Sequence, residues 1–445
     1  MGNEETPESR ERTDRTGWRG LLVDVTPLRT SPSFAKLWTG TSVAQIGAQI
    51  TIVAVGLHVY DLTGSTLAVA FVALWALGPM ILAGFVGGAL ADMFDRRTVA
   101  LVTATVAWLS IGTMTLIAFL NVTQTWPYYV LAAINAASAT ILGATRGAIL
   151  PRLLPTQLLP AAAALSGITM GLAITVGPAV AGVLVATVGF PWTYLLDAVL
   201  FAGAFLGILS LPPMTPEGGS ASPGFSSVVE SMRFLRNAPN VRATFIFDLI
   251  AMIFGTPRVV FPAAGALILG GGPVTVGVLT ASFAAGALLS SLVSGPLGRV
   301  RRQGRAVTLA IAVFGLFTAL FGVVLLVTGM MVGSAGPEGV NVPAVVLAGI
   351  ALAGTGAADN VSAVFRTTIL QAAAPDDVRG RMQGLFYVVV AGGPRIGDLL
   401  AGAVATAIAL WAPALIGGLI IVALMLVLLR IARGFQHYDA FMPTP

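Results

Sequence analysis

Apolar runs long enough to cross a bilayer alternate with short polar or Gly/Pro breaks from Phe34 almost to the end of the chain. In the first half they lie near residues 34–60, 66–91, 98–120, 126–150, 160–188 and 193–211. In the second they lie near 242–269, 275–298, 306–331, 342–370, 382–410 and 412–432. A hydrocarbon core about 30 Å thick takes about 20 helical residues to cross, so each run reads as one span. The pattern predicts an all-α membrane protein of twelve transmembrane helices in two pseudo-symmetric six-helix halves, 34–211 and 242–433. Residues 1–33 are polar and mixed in charge, which predicts a disordered cytoplasmic tail and no cleavable leader before the first span. Residues 434–445 form a second cytoplasmic tail. The stretch 212–241 opens with Pro212, Pro213, Pro216, Gly218 and Gly219, then sets Phe225, Val228, Val229, Met232 and Leu235 on one helical face. That is the pattern of a linker running into an amphipathic helix on the membrane surface.

Composition narrows the chemistry. Of 445 residues 56% are hydrophobic and 10% charged, and a mean hydropathy of +0.90 leaves little room for a soluble domain. There is no cysteine, and the only histidines are His58 and His437. Disulfides, thiolate chemistry and a histidine metal centre are therefore excluded, and no metal or cofactor is expected. No Walker sequence is present, so ATP hydrolysis by this chain is not expected either. An intramembrane enzyme would need a carboxylate cluster or a nucleophile with its base, and the sequence offers neither.

A net charge of +5 could point to nucleic acid, but the positions of the basic residues say otherwise. Six lie in the N-terminal tail and at the start of the first span. Arg96 and Arg97 follow the second span, Arg146 and Arg152 end the fourth, and Arg233, Arg236 and Arg242 lie between the halves. Arg299, Arg301, Arg302 and Arg305 follow the eighth, Arg366, Arg379 and Arg381 end or follow the tenth, and Arg430 and Arg433 close the twelfth. All fall on one side, which predicts both termini in the cytoplasm and a bilayer, not nucleic acid, as the partner. The arginine-rich turns after spans 2 and 8 occupy matching places, as expected of a six-plus-six parallel repeat.

Gly88-Ala-Leu-Ala-Asp92-Met-Phe-Asp95-Arg96-Arg97 resembles the signature loop of the major facilitator superfamily: a glycine, an aspartate four residues on, then a basic pair. Met93 stands where the family has a basic residue, and Asp95 where it commonly has glycine. In span 5, Gly177-Pro178-Ala-Val-Ala-Gly182 resembles the Gly-Pro motif of exporters in that superfamily, where small residues and a proline bend suit one end of a cavity to sealing. The segments DLIAMIFGTPRVVFP, ADNVSAVFRTTILQAAAPDDVRGRMQGLF and AGGPRIGD resemble exporters related to the enterobactin exporter. The resemblance implies a major facilitator fold in the inner membrane and proton-driven antiport of a siderophore or similar amphipathic small molecule. The alternative it leaves is a broad-specificity multidrug exporter, and in either case the expected working unit is a monomer. Gating would fall to Gly88, Asp92, Asp95, Arg96, Arg97, Arg146, Gly177, Pro178, Gly182, Arg366, Arg379 and Arg381.

Ionisable groups inside spans cost about 2.5–3.5 kcal/mol each on insertion scales, so they call for a use. They are Asp197, Asp248, Arg258, Asp359, Arg395 and Asp398. Two arginines against four aspartates leave a carboxylate under-compensated, a natural proton carrier. Asp359 is the first candidate, with Asp248 and Asp398 beside it. Arg258 is placed to attract an anionic substrate or to release Asp359 from pairing, while Arg395 and Asp398, three apart, are placed to pair. Asp197 reads as a packing or helix-end group. Gln45 and Gln49 share a face of span 1 and, with Asn135, offer hydrogen bonds to cargo. Met252 and Tyr387 supply the soft apolar lining.

Overall fold

The computed structural model describes residues 25–155, 158–215, 233–255, 258–292, 297, 300–333, 337, 339–373 and 376–439. These residues are almost entirely helical. After the short α1 (Thr26–Thr30) come α2 (Pro32–Thr63), α3 (Thr66–Met93), α4 (Arg96–Phe119), α5 (Trp126–Leu153) and α6 (Leu159–Leu209). The second half holds α7 (Pro239–Gly255), a 3-10 turn (Arg258–Val260), α8 (Phe261–Leu267), α9 (Gly272–Leu292), α10 (Gln303–Val332), α11 (Val342–Ala373), α12 (Asp376–Ala407), α13 (Ala412–Ile431) and α14 (Arg433–Gln436).

Among the described residues ten runs are long and apolar enough to cross a membrane. One of them, Leu165–Leu209, is 45 residues long, far more than a bilayer needs. It bends back at Gly189, whose φ of 81° and ψ of 176° a side chain would disfavour. A Cβ on Gly177, before the bend, would meet Gln49, and Asp197, after it, bonds Thr51, so both arms cross α2 at one level. They are two spans. The 32-residue α12 packs between α3 and α7 and is also long enough to cross a bilayer. The amphipathic linker helix falls mostly on 216–232, outside the described residues. Its last apolar member, Leu235, is buried with Val241 and Phe245 in the second half.

Local chemistry sets the ends. Ser31 caps α2 by accepting from the Phe34 amide, Gly64 ends it in the left-handed region, and Ser65 caps α3. The two halves are built alike at the terminus-bearing end. In the first, the turn before α4 grips the segment after α6: the Asp95 carboxylate accepts from the Met214 and Thr98 amides, and Arg96 and Arg97 donate to the Ala148 and Leu209 carbonyls at 2.9 Å each. In the second, the turn before α10 grips the segment after α13, with Arg301 on Asp439 at 2.7 Å and Gln436 on Thr308 at 2.9 Å. The two clasps differ in where the carboxylate sits, on the turn in the first half and on the tail in the second.

Burial alone would raise the Asp95 carboxyl, but the Thr98 and Met214 amides, the Thr98 hydroxyl and nearby Arg97 outweigh it and hold it below its usual value. A lowered carboxyl stabilises the fold above the ordinary aspartate range, near 3.9, and that stabilisation is lost as pH falls through the folded value. Asp95→Ala is expected to cost about 1 kcal/mol at pH 7, the worth of a helix cap, and the gap from wild type should close toward pH 3. Melting temperatures of the detergent-solubilised pair across that range would check it; a gap independent of pH would count against the carboxylate's role.

Cores divide by depth. Near the terminus-bearing end one cluster holds only first-half residues, such as Leu37, Ala104 and Phe201, and another only second-half residues, such as Phe247, Phe314 and Phe365. At the remote end a single cluster joins both, from Val55, Met114 and Tyr128 to Phe261, Leu279 and Phe321. Two seams run there. Gly182 on α6 lies against the Pro273 carbonyl and Gly277 of α9, while Thr66 on α3 reaches Thr406 of α12 at 3.3 Å.

Candidate functional site

The second half places a guanidinium between two carboxylates. Arg366, 2% exposed, meets Asp248 of α7 at 2.6 Å and Asp359 of its own helix at 3.5 Å. The seven-residue spacing puts Asp359 and Arg366 on one face of α11, and a long helical side chain leans toward the N-terminus, so Arg366 reaches back two turns. Asp248 is fully buried, whereas Asp359 keeps 36% of its side chain exposed. The three groups carry one positive and two negative charges, so the cluster becomes neutral on taking one proton. Asn360, the next residue, donates to Ser290 of α9 at 3.0 Å and fixes the helix's rotation.

Sequence reasoning grouped Arg366 with the arginines of the turn after span 10. It lies two turns inside α11, which continues to Ala373, and it is the cation that Asp359 was expected to find in Arg258. Arg258 sits elsewhere because the seventh span breaks: α7 stops at Gly255 and the 3-10 turn starts at Arg258. The turn carries Arg258 out to an exposed position over the Phe283 ring of α9, 4.9 Å from its centroid. Asp398 of α12 lies by the Val259 amide and near both Arg258 and Arg395, so it faces the break from α12. With Arg366 inside the membrane the count becomes three arginines to four aspartates. Asp197, 1% exposed, has no cation beside it among the described residues; it takes the Thr51 hydroxyl at 2.5 Å and packs on Gly47.

The remaining predicted residues scatter. Gln45 is half-buried with its Oε1 enclosed, Gln49 packs its Cβ on Gly177, and Asn135 is half-buried in α5. Met252 packs on Gly393 and Gly397 of α12. Pro178 and Gly182 lie on the seam with α9, whereas Gly177 faces α2 in its own half. Arg146 is half-buried near the end of α5. Gly88 and Asp92 lie in α3, and Arg379, Arg381 and Tyr387 in α12, but their side chains are outside the described residues. His58 is buried, stacked on Phe190 at 4.2 Å and bonded to Tyr194 at 3.2 Å.

Residues 23–440 match the family model described as transmembrane secretion effector. The chain belongs to this family of the major facilitator superfamily. It is 27% identical over 421 residues to the enterobactin exporter of Citrobacter koseri, covering 94% of this chain and 95% of that one. It is 28% identical over 422 residues to the enterobactin exporter of Shigella boydii, covering 94% and 96%. Among solved structures, an auto-inhibited peptide transporter of the POT family superposes with a TM-score of 0.70 at 12% identity, covering 93% of this chain and 99% of that one. A bacterial homologue of the iron transporter ferroportin, in an inward-facing state, gives 0.63 at 13% identity, covering 89% and 98%. These structural likenesses carry the fold alone. As a member of the secretion effector family, the protein is a multi-pass exporter of the inner membrane.

Proposed function

We propose that this exporter is a proton-driven antiporter whose cargo is a siderophore or a similar anionic, amphipathic small molecule. The observation that carries the coupling is the Asp248–Arg366–Asp359 cluster, with one carboxylate in excess and Asp359 the more exposed of the two. In low dielectric an excess negative charge is costly, so a proton on Asp359 neutralises the cluster and its release restores the charge. Asp248, buried and held at 2.6 Å, keeps Arg366 in place through the cycle. Arg258, exposed at the break of the seventh span, is the cation on offer to an anionic cargo. The relatives named as enterobactin exporters support the cargo class.

With the termini in the cytoplasm, as the basic residues argue, the seams and the joint core lie on the outer side. The structure then corresponds to an inward-open state, ready to load. Asp359→Asn fixes the cluster in its neutral form. It is expected to abolish uphill, pH-driven transport while leaving exchange of labelled for unlabelled cargo in proteoliposomes within about twofold of wild type, since exchange needs no proton movement. Uphill transport at the wild-type rate by this variant would remove Asp359 from the coupling role.

A further inference from the structure

Where the first turns of α7 meet the last turns of α13, at the terminus-bearing end, lies a groove of about 490 Å3 outside the transport site. Ile246, Phe247 and Leu428 form its apolar wall, Arg242 stands at its rim, and Phe435 of α14 closes its base. Phe435 is 4% exposed and packs on Phe247 at 5.1 Å between ring centroids, so the base is fixed. Ile246 is exposed on the outer surface, and the neighbouring Leu249 and Val427 continue the same apolar surface toward the membrane interior.

Among the described residues the charge around the groove is of one sign. Arg242 is exposed at the rim, and Arg433, also exposed, stands in the chain between the lining residues Ala432 and Gly434. The stretches 233–247 and 424–438 contain no Asp or Glu, and the nearby Asp439 is already held by Arg301 at 2.7 Å. Arg242 is steadied by donating to the Arg236 carbonyl at 3.1 Å. Guanidinium groups with no carboxylate partner among the described residues, beside an apolar wall that opens to the membrane, match one kind of occupant. A free phosphate would leave the wall uncovered, and a zwitterionic lipid would bring its own cation into the arginine cluster.

We propose that this groove binds an anionic phospholipid, its phosphate on Arg242 and Arg433 and one acyl chain along Ile246 and Leu428. The test is native mass spectrometry of the full-length protein titrated with dioleoyl phosphatidylglycerol and, in parallel, dioleoyl phosphatidylcholine. Wild type is expected to retain the anionic lipid in preference. The double variant Arg242→Ala with Arg433→Ala should bind it roughly thirty-fold more weakly, about fivefold per arginine at an anionic surface. Ile246→Trp keeps every charge but fills the groove, and it too should weaken binding. Soluble glycerophosphate should not compete. Wild-type retention by both variants, equal retention of the two lipids, or displacement by glycerophosphate would each overturn the proposal.

Discussion

Arg366→Ala is expected to abolish transport and to destabilise the second half by about 3–5 kcal/mol, the cost of breaking a buried ion pair from one side. The guanidinium is 2% exposed and holds Asp248, itself fully buried, at 2.6 Å, so its loss leaves a charged carboxylate in a core of Phe247, Phe314 and Phe365. Adding Asp248→Asn removes that charge and should recover most of the stability without recovering transport, because Asp359 still lacks its cation. Thermal unfolding in detergent beside flux in vesicles separates the two effects. A single variant that melts like wild type would mean the pair does not hold α7 to α11. A double variant that transports normally would mean it has no part in the cycle.

The second large effect is expected at the seam between the halves. A Cβ on Gly182 would run into the Pro273 carbonyl and lie 3.2 Å from the Gly277 backbone; one on Gly277 would lie 2.6 Å from the Pro178 carbonyl. These neighbours are backbone atoms, which cannot swing aside as a side chain can. Gly182→Val should overpack the seam by about 1–3 kcal/mol and shift the balance away from this sealed state by about 5–150-fold. Cysteine pairs across α6 and α9, or spectroscopic distances between them, would report the shift, and this cysteine-free chain suits both. Because Gly177 faces α2 within one half, Gly177→Val should damage folding without favouring either state. An unchanged distance distribution in Gly182→Val would show that the seam yields elsewhere.

Much of this architecture was legible because the bilayer allows few answers. Apolar runs of about 20 residues read directly as spans, and even the merged 51-residue α6 was separable in advance, since the Gly189–Pro191 break interrupts the run. The repeat was visible in the two arginine-rich turns, though not the way each turn clasps the end of its own half. That clasp depends on Met214 and Asp439, which lie outside any motif.

The site was legible in its members and not in its pairing. Asp248 and Asp359 stood out as carboxylates within spans. Arg366 was passed over because an arginine near the predicted end of a span reads as a topological marker. The overlooked signal was its spacing of seven from Asp359, which repeats a helical face. Arg258 was misplaced for a different reason. A sequence does not say in which direction the chain leaves a break within a span, and here Arg258 is carried toward Phe283 and Asp398. Asp197 shows the limit of counting charges, since a hydroxyl from Thr51 meets a buried carboxylate where no cation does.

Export driven by a proton gradient is tested most directly by flux into everted membrane vesicles energised acid-inside. A labelled catecholate siderophore is offered beside a cationic dye. Siderophore uptake that a protonophore collapses, with little uptake of the dye, is the result expected of an antiporter with Arg258 facing its cargo. Siderophore uptake that persists through the protonophore would contradict the coupling, and uptake of the dye alone would contradict the cargo.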